Sequence, residues 1–167
     1  MTDTYDTATR SEVMRRVKGR DTYPEMLLRK TLFAVGLRGW RCHRSDLPGR
    51  PDLAFGKARL AIFVDGAFWH GHPSKYWKGR SSAYWDNKIA RNIERDRIAT
   101  ESLLNEGWSV IRFWDFEVES DPLRAATFVQ EALQEIKAGR RVAKLREMTL
   151  AKGPTLAPYG TGQVAGL

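Results

Sequence analysis

The chain has 167 residues, 42% hydrophobic and 29% charged, enough for one domain with a proper core plus a tail. Its 28 basic against 20 acidic residues leave a net charge of +8 and a pI near 9.9, which favours a polyanion, most commonly nucleic acid, as partner. A single cysteine, Cys42, excludes an intrachain disulfide and a multi-cysteine zinc cage, and neither a signal-peptide pattern nor an apolar run of ~20 residues is present, so the expected location is a reducing cytoplasm.

Residues 1–9 are polar and read as a flexible N-terminus. A short helix is expected over Glu12 to Val17, carrying Met14 beside Arg15 and Arg16, with Arg10, Lys18 and Arg20 extending the positive patch. Such an arm suits phosphates, although a merely solvated helix explains the charges as well. Thr22-Tyr23-Pro24-Glu25 then opens a strong helix as a capping box, Leu28, Thr31, Leu32 and Val35 form its apolar stripe, and Gly36 suits its end. Glu25 lies at the edge of that stripe. Capping explains it without chemistry; an inward carboxylate at a helix start could instead reach a metal site.

Leu47-Pro48-Gly49-Arg50-Pro51-Asp52 is a tight turn leading into a strand, and Asp52 directly precedes Leu53-Ala54-Phe55. Gly56-Lys57 reads as a hairpin turn and Arg59 to Val64 as the returning strand. That pairing brings Asp52 to the Val64-Asp65 end, where two carboxylates and a backbone carbonyl are hard oxygen ligands suited to Mg²⁺. Paired carboxylates are also ordinary turn formers.

Ile62 to His72 begins as a buried strand, turns at Gly66 and then presents Phe68, Trp69, His70 and His72, two of the chain's three histidines. Phe68 to Trp85 holds six aromatics in eighteen residues, interleaved with Lys75, Lys78 and Arg80. Basic residues among aromatics suit phosphate contact and base stacking, and a satellite hydrophobic cluster accounts for some of the rings. A second strong helix is expected from Lys88 to Gly107, with Ile89, Ile93, Leu103 and Leu104 as its apolar stripe. Asn92 and Asp96 fall inside that stripe. A buried carboxylate needs a partner, either a structural Arg or Lys or a histidine whose tautomer it fixes. Trp108 to Trp114 reads as a third strand and Leu123 to Lys137 as a third helix; the basic, Gly/Pro-containing residues 139–167 read as a disordered tail. The organisation expected is one α/β domain over residues 10–138.

Four blocks taken together carry a family resemblance: Thr22-Tyr23-Pro24-Glu25, Leu47 to Asp52, Phe63 to His70, and Asn92-Ile93-Glu94-Arg95-Asp96. In them the chain resembles the very-short-patch-repair (Vsr-type) DNA mismatch endonucleases, from about Thr9 to Gln134. The resemblance implies a restriction-endonuclease-like α/β fold, a central mixed sheet flanked by helices, and Mg²⁺-dependent nicking on the 5′ side of the T in a T:G mismatch. By matching position, Asp52 would be the principal Mg²⁺ ligand with the Val64 carbonyl, and Glu25 would act on the metal through water. His70 would be the general base and Asp96 would orient it. Phe68 and Trp69, with Met14 from the other side, would wedge into the base stack; Arg15, Arg16, Lys75, Trp85 and Asn92 complete the expected DNA contacts.

Two departures stand out. Well-known members hold a structural zinc on three cysteines and a histidine, whereas Ala67, Ser74 and Phe116 stand at the cysteine positions here and only His72 remains, so no structural zinc is expected. Asp65 stands where some members have a catalytic-site histidine, and is expected to act through the metal or as an orienting group. The expected partner is double-stranded DNA carrying a T:G mismatch, bound by a monomer at the nucleoid, with other mismatch-repair proteins as further partners and no membrane. Two rival readings keep less of the resemblance: a restriction-type or other-substrate DNA endonuclease of the same fold, and a DNA-binding module whose chemistry has lapsed.

Overall fold

The computed structural model describes residues 19–76, 79 and 82–144. Met14, Arg15 and Arg16, the two ends of the chain, and the ring of Trp77 all lie outside them. Helix α1 (Tyr23–Ala34) is followed by strands β1 (Arg41–Cys42), β2 (Leu53–Phe55) and β3 (Leu60–Asp65), and by the long helix α2 (Ala83–Asn105). Strand β4 (Ser109–Trp114), helices α3 (Asp115–Ser120) and α4 (Pro122–Lys137), and strand β5 (Ala143–Lys144) complete the domain. The five strands form one sheet in chain order, antiparallel from β1 to β3 and parallel from β3 to β5. The expected central mixed sheet flanked by helices is the architecture found.

Alternation along the strands decides which helix each residue meets. Leu60 and Ile62 of β3 and Ile111 and Phe113 of β4 pack with Leu28 and Leu32 of α1, Val118 of α3, and Ala125, Phe128 and Val129 of α4. The opposite face carries Ala61, Phe63 and Val110, packed with Leu103 of α2, Leu47 and Trp108. Asp65 and Arg112 occupy that same second face by the period-2 rule, which turns two charges toward α2.

The turn ahead of β2 is held by close approach. Gly49 has φ +72°, and a Cβ there would lie 2.8 Å from Ala99 Cβ and 3.2 Å from Phe63 Cε1. Gly49→Ala is therefore expected to destabilise the fold by about 1–3 kcal/mol, from left-handed strain and overpacking together. Urea denaturation reads this directly, and an unchanged midpoint would show that the turn can move off α2.

Three expectations are corrected. Helix α2 starts at Ala83, five residues ahead of the expected Lys88, because Asp86 in its first turn accepts the Tyr76 hydroxyl at 2.8 Å and the Gly79 amide at 3.0 Å. A carboxylate at a helix N-terminus is favourable with the dipole, and here it also ties down the loop. The structured domain, expected to end at 138, runs on to Lys144, since Val142 donates to Ser109 Oγ and β5 joins β4 in parallel. Glu25 does not form the reciprocal capping box: the Thr22 hydroxyl donates to Glu25 Oε1 at 2.8 Å, and Oε2 accepts from the Asp21 amide at 3.0 Å. Among the described residues no helix is long and apolar enough to cross a membrane.

Candidate active site

A cleft opens at the C-terminal ends of the parallel strands β3 and β4, the position where open α/β sheets place ligands. Glu25, His43, Asp52, Asp65, His70 and Asp96 all line it. The β2–β3 register pairs Leu53 with Ile62, so Asp52 lies one step beyond, where β3 has no strand partner on that side. Its Oδ2 accepts the Val64 amide at 2.7 Å. A strand residue turns its N–H and C=O to the same side, so the Val64 carbonyl faces the side on which Asp52 sits.

The carboxylates of the cleft differ in how they are neutralised. Glu25 is buried and meets Arg29 Nη2 at 3.0 Å; Asp65 is buried and meets Arg112 through both oxygens at 2.8 Å. Asp52 meets a backbone amide and, at 3.9 Å, His43 Nδ1. Burial, then the Glu25 carboxylate, push Asp52 up to about 7, with Asp65 adding to the rise, against the pull of the Val64 amide and of the Arg112 charge. Among the described residues no guanidinium forms an ion pair with Asp52 as Arg29 and Arg112 do with the other two, and a divalent cation would supply the missing positive charge. The donor chemistry, hard oxygens at an under-neutralised carboxylate, fits Mg²⁺.

The side chains of Asp21, Glu25 and His43 also converge closely enough for a cation, as do those of Asp65, His70 and Asp96. Each set already contains a guanidinium. Arg29 Nη1 lies 2.6 Å from Asp21 Oδ1 and Arg29 Nη2 lies 3.3 Å from His43 Nε2; Arg112 Nη2 lies 3.1 Å from Asp96 Oδ1.

His70 and Asp96 meet as the inward-facing reading of Asp96 requires. Nδ1–H of His70 donates to Asp96 Oδ2 at 2.5 Å, a tautomer assigned from this hydrogen bond, which leaves Nε2 as the acceptor. Asn92, one turn earlier, donates from Nδ2 to the Trp69 carbonyl at 3.0 Å and accepts from Arg95 at 2.5 Å, so it anchors the loop that carries His70. Gly71 lets that loop lie on α2: at φ +75°, a Cβ there would be 2.7 Å from Ile93 Cδ1. Ile93 itself is 43% exposed and not part of the buried stripe, where Ala99 and Thr100 stand with Ile89 and Leu103.

The aromatics divide between packing and cleft. Phe68 and Trp69 are partly buried and meet edge-on at 5.1 Å between ring centres; Trp69 packs on Trp85 at 5.4 Å. Lys88 Nζ lies 5.3 Å from the Trp69 ring centre and 5.0 Å from that of Trp85, a cation placed over rings that line or border the cleft. Lys75 is exposed on the same loop.

His72 belongs to a different environment. Its Nδ1 accepts from the Ser74 hydroxyl at 2.8 Å and the Ser74 amide at 3.1 Å, and its ring stands edge-on to Trp114 at 4.7 Å and Phe116 at 5.0 Å. Of Ala67, His72, Ser74 and Phe116, one imidazole is the sole nitrogen or sulfur side-chain donor, and a structural zinc takes four such ligands. These residues do not fit zinc; aromatic packing joins the loop to the end of β4 instead.

Sequence reasoning passed over Arg112, His43, Arg29 and Asp115. Arg112 offered a signal, being a charge at the centre of the otherwise apolar Val110-Ile111-Arg112-Phe113-Trp114. His43 offered none, since it follows a two-residue strand, and neither did Asp115, which directly follows the strand ending at Trp114 and accepts the Ala67 amide at 3.2 Å. Asp21, His43 and Arg50 all adopt positive φ near the cleft, at 54°, 49° and 53°. Such backbone is unfavourable for residues other than glycine and collects at working sites.

The family model described as DNA mismatch endonuclease Vsr matches residues 2–76. Type II nicking enzyme V.HpaIIP of Haemophilus parainfluenzae is 38% identical over 121 residues, which span 71% of this chain and 85% of that protein. DNA mismatch endonuclease Vsr of Escherichia coli (strain K12) is 38% identical over 118 residues, spanning 69% of this chain and 74% of that protein. Among solved structures, the Homing Endonuclease I-Bth0305I Catalytic Domain is similar over 71% of this chain and 97% of its own, with a TM-score of 0.44 and 19% identity.

Proposed function

The chain belongs to the Vsr family of DNA endonucleases, and from that premise we propose that it is a Mg²⁺-dependent enzyme nicking one strand on the 5′ side of the T in a T:G mismatch. Its mixed sheet with helices on both faces is the restriction-endonuclease-like arrangement. The observation that carries the proposal is the pairing of an under-neutralised Asp52 with a tautomer-fixed His70 in one cleft. An endonuclease, and not a lapsed binding module, is what such a pairing serves.

Held by Asp52 and the Val64 carbonyl, Mg²⁺ would neutralise developing charge on the phosphate oxygens and make water more acidic. Glu25, anchored by Arg29 and Thr22, keeps a second negative charge facing that position and strengthens the preference for a cation. His70 Nε2 takes the proton of the attacking water as the new P–O bond forms, and the bond to the leaving sugar oxygen breaks. Asp96 holds the ring by its Nδ1–H and stabilises the imidazolium that results. Exposed Arg20, Arg50, Lys88 and Arg95 along the cleft suit the phosphates of the substrate.

Phe68 and Trp69 supply the discrimination. A wedge between base pairs costs a few kcal/mol of unstacking, less at a mismatch, and so favours T:G over intact duplex. One-strand cutting is supported by the name of the Haemophilus relative, a nicking enzyme.

End-labelled duplexes with T:G or C:G at one position, incubated with Mg²⁺ or EDTA, test the proposal. Nicking 5′ of the T, confined to the T:G duplex with Mg²⁺, is expected. Equal cutting of both duplexes would replace mismatch recognition by a restriction-type substrate.

A further inference from the structure

We propose that Arg112 is a positioning residue for His70, acting through Asp65 and Asp96; the proposal rests on the reading of His70 as the base. Arg112 is 3% exposed, at the centre of a fully buried strand. The parallel register sets Arg112 beside Phe63 and Trp114 beside Asp65, so the guanidinium lies against Phe63, 4.1 Å from its ring centre, and extends along the sheet to the carboxylate. Nε donates to Asp65 Oδ2 and Nη2 to Asp65 Oδ1, both at 2.8 Å, the two-pronged fit that a planar fork allows. Nη1 donates to Thr100 Oγ1 at 3.2 Å, and Nη2 also lies 3.1 Å from Asp96 Oδ1.

The two carboxylates meet again at His70. Asp96 presents Oδ1 to Arg112 and Oδ2 to His70 Nδ1, while Asp65 Oδ1 lies 3.7 Å from that same nitrogen. Two anions converging on one imidazole nitrogen repel each other, and the guanidinium held between them offsets that repulsion. It also fixes the plane of the Asp96 carboxylate, because one oxygen is taken and the other is aimed at the ring. Asp65 thereby acquires an account: it aligns Arg112 from the far side and closes the approach to Nδ1.

Packing alone does not call for this arrangement. A buried ion pair can often be replaced by apolar side chains of similar volume with little loss of stability, so its presence beside the base points to orientation. Lysine would supply the charge without the fork, and could not hold both carboxylates in fixed planes.

The test compares native protein, Asp65→Leu/Arg112→Leu, Arg112→Lys and His70→Ala on the T:G duplex with Mg²⁺. Each is assayed for melting temperature, DNA affinity and cleavage rate at saturating protein. The double leucine variant is expected to melt close to native and bind DNA within roughly threefold, yet cleave at least about 30-fold more slowly, as misplacement of a reacting group does. Native rate in a folded double variant overturns the proposal, and so does a defect confined to DNA affinity. Should the double variant not fold, Arg112→Lys decides: a rate loss of that size with native affinity supports positioning, and a native rate overturns it. His70→Ala separates the two readings. If it cleaves normally, the base assignment fails; if it is inactive while the Arg112 variants cleave at native rate, only the positioning role fails.

Discussion

Asp52→Asn is expected to lower the nicking rate by about 10²–10³-fold, the scale associated with removing a principal electrostatic group, while DNA binding survives. The same variant should melt at a higher temperature than the native protein at pH 8 in the absence of metal. Burial and the Glu25 carboxylate raise Asp52 to about 7, whereas an unfolded aspartate titrates near ~3.9. The fold therefore prefers the neutral acid: that contribution to stability is present below pH ~4 and is lost as pH rises through about 7. The gap between the folded and unfolded carboxyl sets a ceiling of about 4 kcal/mol on the cost of the anion at pH 8, and asparagine removes it while keeping an oxygen for the Val64 amide. Near pH 4 the two proteins should melt together.

Metal reverses the order. A cation that binds the folded state alone stabilises it by mass action, so Mg²⁺ should raise the melting temperature of the native protein and leave Asp52→Asn nearly unmoved. Nicking by Asp52→Asn within tenfold of native, or equal Mg²⁺ stabilisation of both, would remove Asp52 from the metal site.

His70→Ala is expected to slow cleavage by about 10²–10⁴-fold at saturating protein, the range for losing a positioned general base. Its affinity for DNA should change little, because the ring is partly buried and held toward Asp96. The loop keeps its anchors in the variant: Asn92 still binds the Trp69 carbonyl, and the backbone amide of residue 70 still donates to the Gly66 carbonyl at 3.1 Å. A loss that appears in affinity and not in the saturated rate would make His70 a DNA contact instead of the base.

Much of the framework was legible because it depends on local periodicity. Leu28 and Leu32 mark the buried side of α1, alternation and turn residues mark β2 and β3, and the helical wheel turns Asp96 inward to where His70 meets it. The errors fell where a distant partner overrides the local pattern. A helix expected from Lys88 leaves Tyr84 and Trp85 outside it, yet α2 begins at Ala83, where Asp86 binds Tyr76 and Gly79. The tail read as disordered from 139, yet β4 has an open edge that residues 143 and 144 pair with. Glu25 read as one half of a capping box, and Arg29 and Asp21 redirect its oxygens.

The sequence by itself determined the α/β plan and the family, and it marked Asp52, His70 and Asp96 as candidates, since these sit in contiguous motifs whose spacing sets their side of a strand or helix. Only the tertiary structure decided how those charges are balanced. Arg112 reaches Asp65 across 47 positions of sequence, and Arg29 approaches His43 across 14, so no local pattern announces either contact. The physical reason is that a buried carboxylate is governed by whichever opposite charge the fold brings within a few ångströms. By that measure Glu25 and Asp65 each face a guanidinium, whereas burial and the neighbouring Glu25 carboxylate raise Asp52 to about 7.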